Sequence, residues 1–313
     1  MPLWVPMSSK HLPADMTVSD GLHSRPSFLS LSRALVTWAG VVPFLVFAFL
    51  FLILPSLYLF IGSLQDAKGQ FTLANFRALF TPSIFSAYWI TIRISLTTAL
   101  MGGIIGFFLA YALVMGNVPS WVRSALMTFC GVASNFAGVP LAQAFIFTLG
   151  RVGLITVLLR ELFGLDLYGI GFNLYSFWGL SITYLYFQLP LMVLVITPAI
   201  EGMRREWREA AENLGASSGQ YWRYVGIPIL MPSLLGSMIL LFGNAFGAYA
   251  TALSLTGGLI NLVTILIGSQ IRGDVLRNPN LGYALAVGMV IVMAVMMAIY
   301  YALRRRSEHW LRS

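Results

Sequence analysis

The feature that most constrains this chain is where its charges are missing. Six intervals run without Asp, Glu, Lys or Arg: Arg33 to Asp66, Arg93 to Arg123, Arg123 to Arg151, Asp166 to Glu201, Arg223 to Arg272, and Arg277 to Arg304. A helix crossing the hydrocarbon core of a bilayer needs about 20 apolar residues, because each residue rises about 1.5 Å. Even the shortest interval, residues 278–303, exceeds this. A mean hydropathy of +0.82, with 58% hydrophobic and 10% charged residues, belongs to a membrane protein. The expected fold is all-α and polytopic, with six transmembrane helices near 36–62, 91–115, 125–149, 174–198, 229–254 and 283–303.

The basic residues set an orientation. With both termini cytoplasmic, twelve Lys and Arg fall on inner segments and six on outer loops, with Arg93 at a span boundary. That matches the positive-inside bias. The net charge of +8 then reads as topology and attraction to anionic lipid, not nucleic-acid binding. Residues 1–33 carry Pro2, Pro6, Pro13 and Pro26 without an apolar core, which reads as a cytoplasmic tail rather than a cleavable signal. The six-span domain covers 34–306 and a short cytoplasmic tail 307–313. The fifth interval is long enough to leave "LINLVTILIGSQ" beyond a span, an apolar piece too short to cross and better placed as an interfacial or re-entrant outer helix.

Small residues mark close helix contacts. Gly102-x-x-x-Gly106 in span 2 reads as packing within the chain. Gly243-x-x-x-Gly247 in span 5 suits either internal packing or a second membrane subunit.

One stretch breaks the apolar pattern: "EAAENLGASSGQYWRYVGIP", residues 209–228, within a polar loop 201–228 between spans 4 and 5. Met203, Trp207, Ala210, Ala211 and Leu214 draw one apolar stripe at helical spacing. Glu201–Arg205, Arg205–Glu209 and Arg208–Glu212 stand four apart, as supporting ion pairs do on an exposed helix. Gly215 suits the left-handed residue that ends a helix. Ser217-x-x-Gln220 is a capping box that starts a second short helix through about Tyr224, and Pro228 stops it or opens span 5. A solvated loop has no need of Trp207, Tyr221, Trp222 and Tyr224, so this elbow reads as a docking surface.

Glu209-Ala210-Ala211, then Gly215, then Val225-Gly226-Ile227-Pro228 resembles the EAA motif of membrane subunits of binding-protein-dependent ABC importers. Tyr186-x-x-x-Pro190 in span 4 is a further shared feature, and the resemblance covers about residues 34–306. Within that family, "NAFGAYATALSLTGG" and "GDVLRNPNLGYALAVGM" look most like the spermidine/putrescine, iron or thiamine branch. The resemblance implies a permease subunit of a bacterial inner membrane. Its elbow, through Glu209, Ala210, Ala211, Gly215, Ala216, Ser217, Tyr221 and Pro228, would couple to an ATPase subunit present in two copies, which carries ATP and Mg. It also implies a second permease subunit, related or identical, an extracytoplasmic solute-binding protein, and a solute of polyamine-like class. The family often has Ile-Pro where this chain has Met203-Arg204, so span 4 is expected to run less interrupted into the elbow.

The chain itself offers no energy source. Lys10 and Lys68 are its two lysines and neither stands in a phosphate-cradling G-x-x-x-x-G-K-[S/T] loop. His11, His23 and His309 lie in the tails and Cys130 is the single cysteine. No catalytic residue, metal site or cofactor is therefore expected here. An ion-gradient carrier would bury carboxylates along its path, and the acidic residues all fall outside the spans. That carrier, and a membrane scaffold that only docks a cytoplasmic protein, are the alternatives. Arg93 reads as a snorkelling side chain. The polar and aromatic residues inside spans, Asn135, Gln143, Tyr184, Gln188, Asn244 and Phe246, are pathway candidates, each weighed against a role in helix packing.

Overall fold

The computed structural model describes residues 40–273 and 278–309. The tail 1–33 and residues 310–313 lie outside them. The described residues fall into two units, 40–56 in the first and 57–273 with 278–309 in the second. Six segments among them are long and apolar enough to cross a membrane: Gly40–Ser63, Pro82–Met115, Val139–Phe163, Phe177–Glu201, Ser218–Phe246 and Pro279–Arg305.

In chain order the helices are α1 (Gly40–Ser63), α2 (Ala74–Ala78), α3 (Pro82–Met115), α4 (Ser120–Ala133), α5 (Val139–Leu149), α6 (Leu154–Phe163), α7 (Phe177–Glu201) and α8 (Arg205–Asn213). They continue with α9 (Ser218–Phe246), α10 (Ala250–Thr256), α11 (Val263–Arg272) and α12 (Pro279–His309).

Two of these helices carry a π-turn, at Phe49–Ile53 in α1 and Trp222–Gly226 in α9. Each lies just before a proline, Pro55 and Pro228. Proline has no N–H and its ring crowds the carbonyl four residues back. The preceding residue reaches one further instead: Leu54 N–H donates to Phe49 O and Ile227 N–H to Trp222 O. The helix continues through both, so Pro228 neither stops a short helix nor starts span 5. The second arm of the elbow and the fifth span are one helix, contrary to the expected stop near Tyr224.

The seam between α3 and α7 is the centre of the bundle. A Cβ at Gly106 would stand 2.6 Å from Met192 Cβ and 3.1 Å from Leu189 O, and one at Gly102 would stand 3.1 Å from Gln188 Cβ. These glycines let the helices approach within the chain, as expected. Gly243 faces Met293 of α12 in the same way, so that position also packs internally. Hydroxyls in the seam are satisfied locally: Thr91, Ser95 and Thr98 donate to the carbonyls of Ala87, Thr91 and Ile94.

The third span differs from a single helix over 125–149. It is split into α4 and α5 by residues 134–138. Pro140 cannot extend a helix back to the Phe136 carbonyl, and Gly138 takes φ +76°. Nor do α5 and α6 form one straight crossing, although 139–163 is apolar enough. Tyr168 OH donates to Leu149 O at 3.0 Å and Arg151 lies over the Tyr168 ring, so the chain has already turned back. Span 2 starts at Pro82, and Arg93 lies inside it, exposed, with its guanidinium 5.4 Å from the Phe177 ring centre. Span 5 ends at Phe246, where Tyr184 OH captures the freed Ala248 carbonyl at 3.0 Å.

The apolar stretch after Gly258 becomes α11, about 15 Å long and too short to cross. Its first N–H, from Val263, donates to the buried Thr91 Oγ1, and Asn278 N–H donates to the carbonyl of Gln270 near its other end. It therefore starts beside the third turn of α3 and returns to the start of α12, packed on both.

Candidate functional site: the elbow

The elbow is built from local hydrogen bonds. Helix α7 ends at Glu201, Gly202 and Met203 turn, and Arg204 is the residue before α8. The expected run-on from span 4 is therefore interrupted. The break also removes the helical spacing between Glu201 and Arg205. Glu201 instead pairs with Arg123 at the start of α4. Within α8 the other expected pairs form, Arg205–Glu209 at 3.3 Å and Arg208–Glu212 at 2.9 Å. The bond from Arg208 to Glu212 holds that guanidinium above its usual pKa.

The end of α8 explains why the motif needs small residues where it has them. Gly215 N–H donates to Glu212 O at 2.9 Å and Ala216 N–H to Ala211 O at 3.0 Å, with Gly215 at φ +79°. This is a Schellman turn, in which a left-handed residue lets two amides close on the last helical carbonyls. Ala211 and Ala216 are the two residues it brings together, and both are half-buried. Ser217 then starts α9: its Oγ accepts from Gln220 N–H, and Gln220 Oε1 accepts from Ser217 N–H at 2.7 Å. Both bonds of the capping box are present. Two terminal carbonyls of α8 and an early amide of α9 are thus satisfied within residues 211–220.

The apolar stripe divides in two. Met203, Trp207 and Ala211 are half-buried, and Met203 packs on the core beneath. Glu209 and Ala210 are exposed and Leu214 is 87% exposed. The aromatics divide as well. Tyr221 is buried and Trp222 stacks edge-on against Tyr111 of α3 at 5.2 Å, so these two fasten the elbow to the bundle. Tyr224 is 69% exposed. A Cβ on Gly226 would strike the Trp222 ring, and Pro228 sits in the helix beyond it. The outer face of the elbow therefore presents Glu209, Ala210, Leu214 and Tyr224.

The residues proposed for a pathway separate by burial. Tyr184, Gln188 and Phe246 are buried in the bundle. Gln188 Nε2 donates to Thr98 Oγ1 at 2.7 Å, while its Oε1 has no partner; Phe246 stacks on Phe242. Asn135 and Asn244 are exposed, and Gln143 is half-buried. Asn135 occupies the break between α4 and α5 and donates to Gly131 O. Sequence reasoning did not find the Arg123–Glu201 pair. The signal lay in the charges themselves, since each bounds an uncharged interval on the same side of the membrane.

Comparison with known proteins agrees with this geometry. The family described as "Binding-protein-dependent transport system inner membrane component" matches residues 102–312. A probable sulfate transport system permease protein, cysT, of Nephroselmis olivacea is 28% identical over 239 residues, covering 74% of this chain and 77% of that protein. The spermidine/putrescine transport system permease protein PotB of Haemophilus influenzae is 25% identical over 274 residues, covering 85% and 92%. Among solved structures, a bacterial ABC transporter involved in the import of the acidic polysaccharide alginate superposes with a TM-score of 0.69 at 17% identity. The match covers 89% of this chain and 98% of that one.

Proposed function

Because the chain belongs to the family of binding-protein-dependent transport system inner membrane components, we propose that its elbow is the docking point for a separate ATPase subunit. The supporting observation is the build of the elbow. It is an exposed, charge-laced helix joined to α9 by a Schellman turn and a capping box and to α7 by the turn at 202–204, with Tyr221 and Trp222 packed beneath it. Force applied to Glu209, Ala210 and Leu214 passes directly into α9, and into α7 through that turn.

On this reading ATP and Mg bind the partner, present in two copies, and this chain supplies no catalytic group. Both termini and the elbow are cytoplasmic, consistent with the basic residues clustered there. A second permease completes the path, and an extracytoplasmic binding protein delivers solute at the opposite end. Asn135 and Asn244 are exposed to the path, while Tyr184, Gln188 and Phe246 hold the helices around it. The solute is small and polar. Permeases named for spermidine/putrescine and for sulfate both match the chain, and the polyamine class is the one to test first.

The test is uptake in proteoliposomes holding the assembled complex and its binding protein, with radiolabelled spermidine, putrescine and sulfate as probes. Glu209→Ala and Gly215→Pro are expected to lower ATP-dependent uptake at least tenfold while membrane insertion stays normal. Glu209→Lys is expected to reduce co-purification of the ATPase. Unchanged uptake in all three variants, or labelling of the elbow from the extracytoplasmic face, would overturn the assignment.

A further inference from the structure

Of the ion pairs in the described residues, three are local, at Arg160–Glu161, Arg205–Glu209 and Arg208–Glu212, and Arg123–Glu201 joins segments far apart in the chain. It ties the first turn of α4 to the last residue of α7, four residues before α8 begins. Both side chains are more than a third exposed, so the pair contributes little to stability. Its position is the informative property.

Helix α4 is only half a span. Its far end stops at the break 134–138, and that break is anchored. Gly138 N–H donates to Thr251 Oγ1 at 2.7 Å, and Phe136 lies edge-on to Tyr186 of α7. Along its length α4 packs chiefly on α7. Between α4, α7 and α3 lies an open apolar groove of about 400 Å³, walled by the exposed Leu126 of α4 and Leu109 of α3, by Cys130 of α4, and by Pro190 and Val193 of α7. An open groove leaves the flanking helix room to move, which a close-packed contact would not. The half-span thus has a fixed pivot at one end, room beside it, and an ion pair at the end nearest the elbow.

We propose that Arg123 and Glu201 are positioning residues that carry displacement of the elbow into α4, swinging it about residues 134–138 into the apolar groove. The inference rests on the ATPase-docking reading of the elbow. Movement of α8 drags Glu201, Glu201 draws Arg123, and α4 follows as a lever whose pivot carries the exposed Asn135.

The test uses the full-length chain in its purified complex, with Cys130→Ser and spin labels at cysteines replacing Trp121 on α4 and Val195 on α7, both exposed positions. Pulsed electron–electron distances are read with and without ATP and vanadate, alongside phosphate release. With the pair intact, ATP and vanadate are expected to shift the distance by several ångströms. Arg123→Glu alone and Glu201→Arg alone are expected to lose that shift while phosphate release persists. The double exchange, Arg123→Glu with Glu201→Arg, is expected to restore it. A shift that survives both single variants, or a double exchange that fails to restore it, overturns the lever and leaves ATPase docking standing. A parent complex with no ATP-dependent phosphate release and no shift overturns docking and lever together. Gel filtration of each variant complex separates loss of the lever from loss of assembly.

Discussion

Helix α8 and the seam between α3 and α7 stand three residues apart in the chain, yet they are held by opposite means. Nothing in α8 is buried, and its shape comes from hydrogen bonds spanning at most five residues plus ion pairs one turn apart. Helix α7, one side of the seam, buries thirteen residues, and the seam's shape comes from contacts between residues about ninety positions apart, such as Thr98 with Gln188. In lipid there is no hydrophobic drive between helices, so the seam depends on close packing and buried polar bonds. In water the elbow needs only to satisfy its own helix ends. The elbow is thus shaped locally and the seam by packing between distant segments.

The contrast can be broken most sharply at Gly106. Gly106→Leu is expected to abolish recovery of folded protein, because no rotamer fits against Met192 and the Leu189 carbonyl. Gly106→Ala is expected to cost about 1–3 kcal/mol, seen as a lowered Tm in detergent. An unchanged Tm would mean that the seam does not depend on this close approach. The next largest effect is expected at Gly215. Gly215→Val forces a branched side chain into φ +79°, costing about 1–2 kcal/mol, while Gly215→Asn tolerates that conformation. Uptake should fall with valine and survive with asparagine, and equal losses would show that the glycine is needed for space rather than for backbone shape.

Ser217→Ala removes one bond of the capping box and is expected to cost about 1 kcal/mol. Hydrogen exchange should quicken at the first amides of α9 and stay unchanged in α7. Spread of the effect into α7 would deny that the elbow is held locally. The smallest change is expected from Glu212→Gln. It weakens the exposed pair with Arg208 and should leave Tm within error, with any loss of co-purified ATPase vanishing at high salt.

The elbow was legible before the structure because its determinants are adjacent. Gly215, Ser217 and Gln220 each act on amides within a few residues. Where reading went astray, prolines and long-range partners intervened. Pro228 was expected to stop a short helix or open the fifth span, and a π-turn just before it joins the two into one helix. Glu201 was expected to pair with Arg205, and three turn residues gave it to Arg123 instead. Tyr184, Gln188 and Phe246 were weighed both as pathway groups and as packing groups, because side-chain chemistry says nothing about which way a helix is turned.

Sequence alone determined that the chain crosses a membrane, how many apolar segments it has, and where its polar elbow lies. Those properties follow from the cost of charge in hydrocarbon and from hydrogen bonds closed within one or two turns. Only the tertiary structure decided that the third span is broken, that α11 packs on α3 and α12, and that Arg123 meets Glu201. These depend on which helices are neighbours and how each is rotated, and in an apolar segment every face is nearly as greasy as the next.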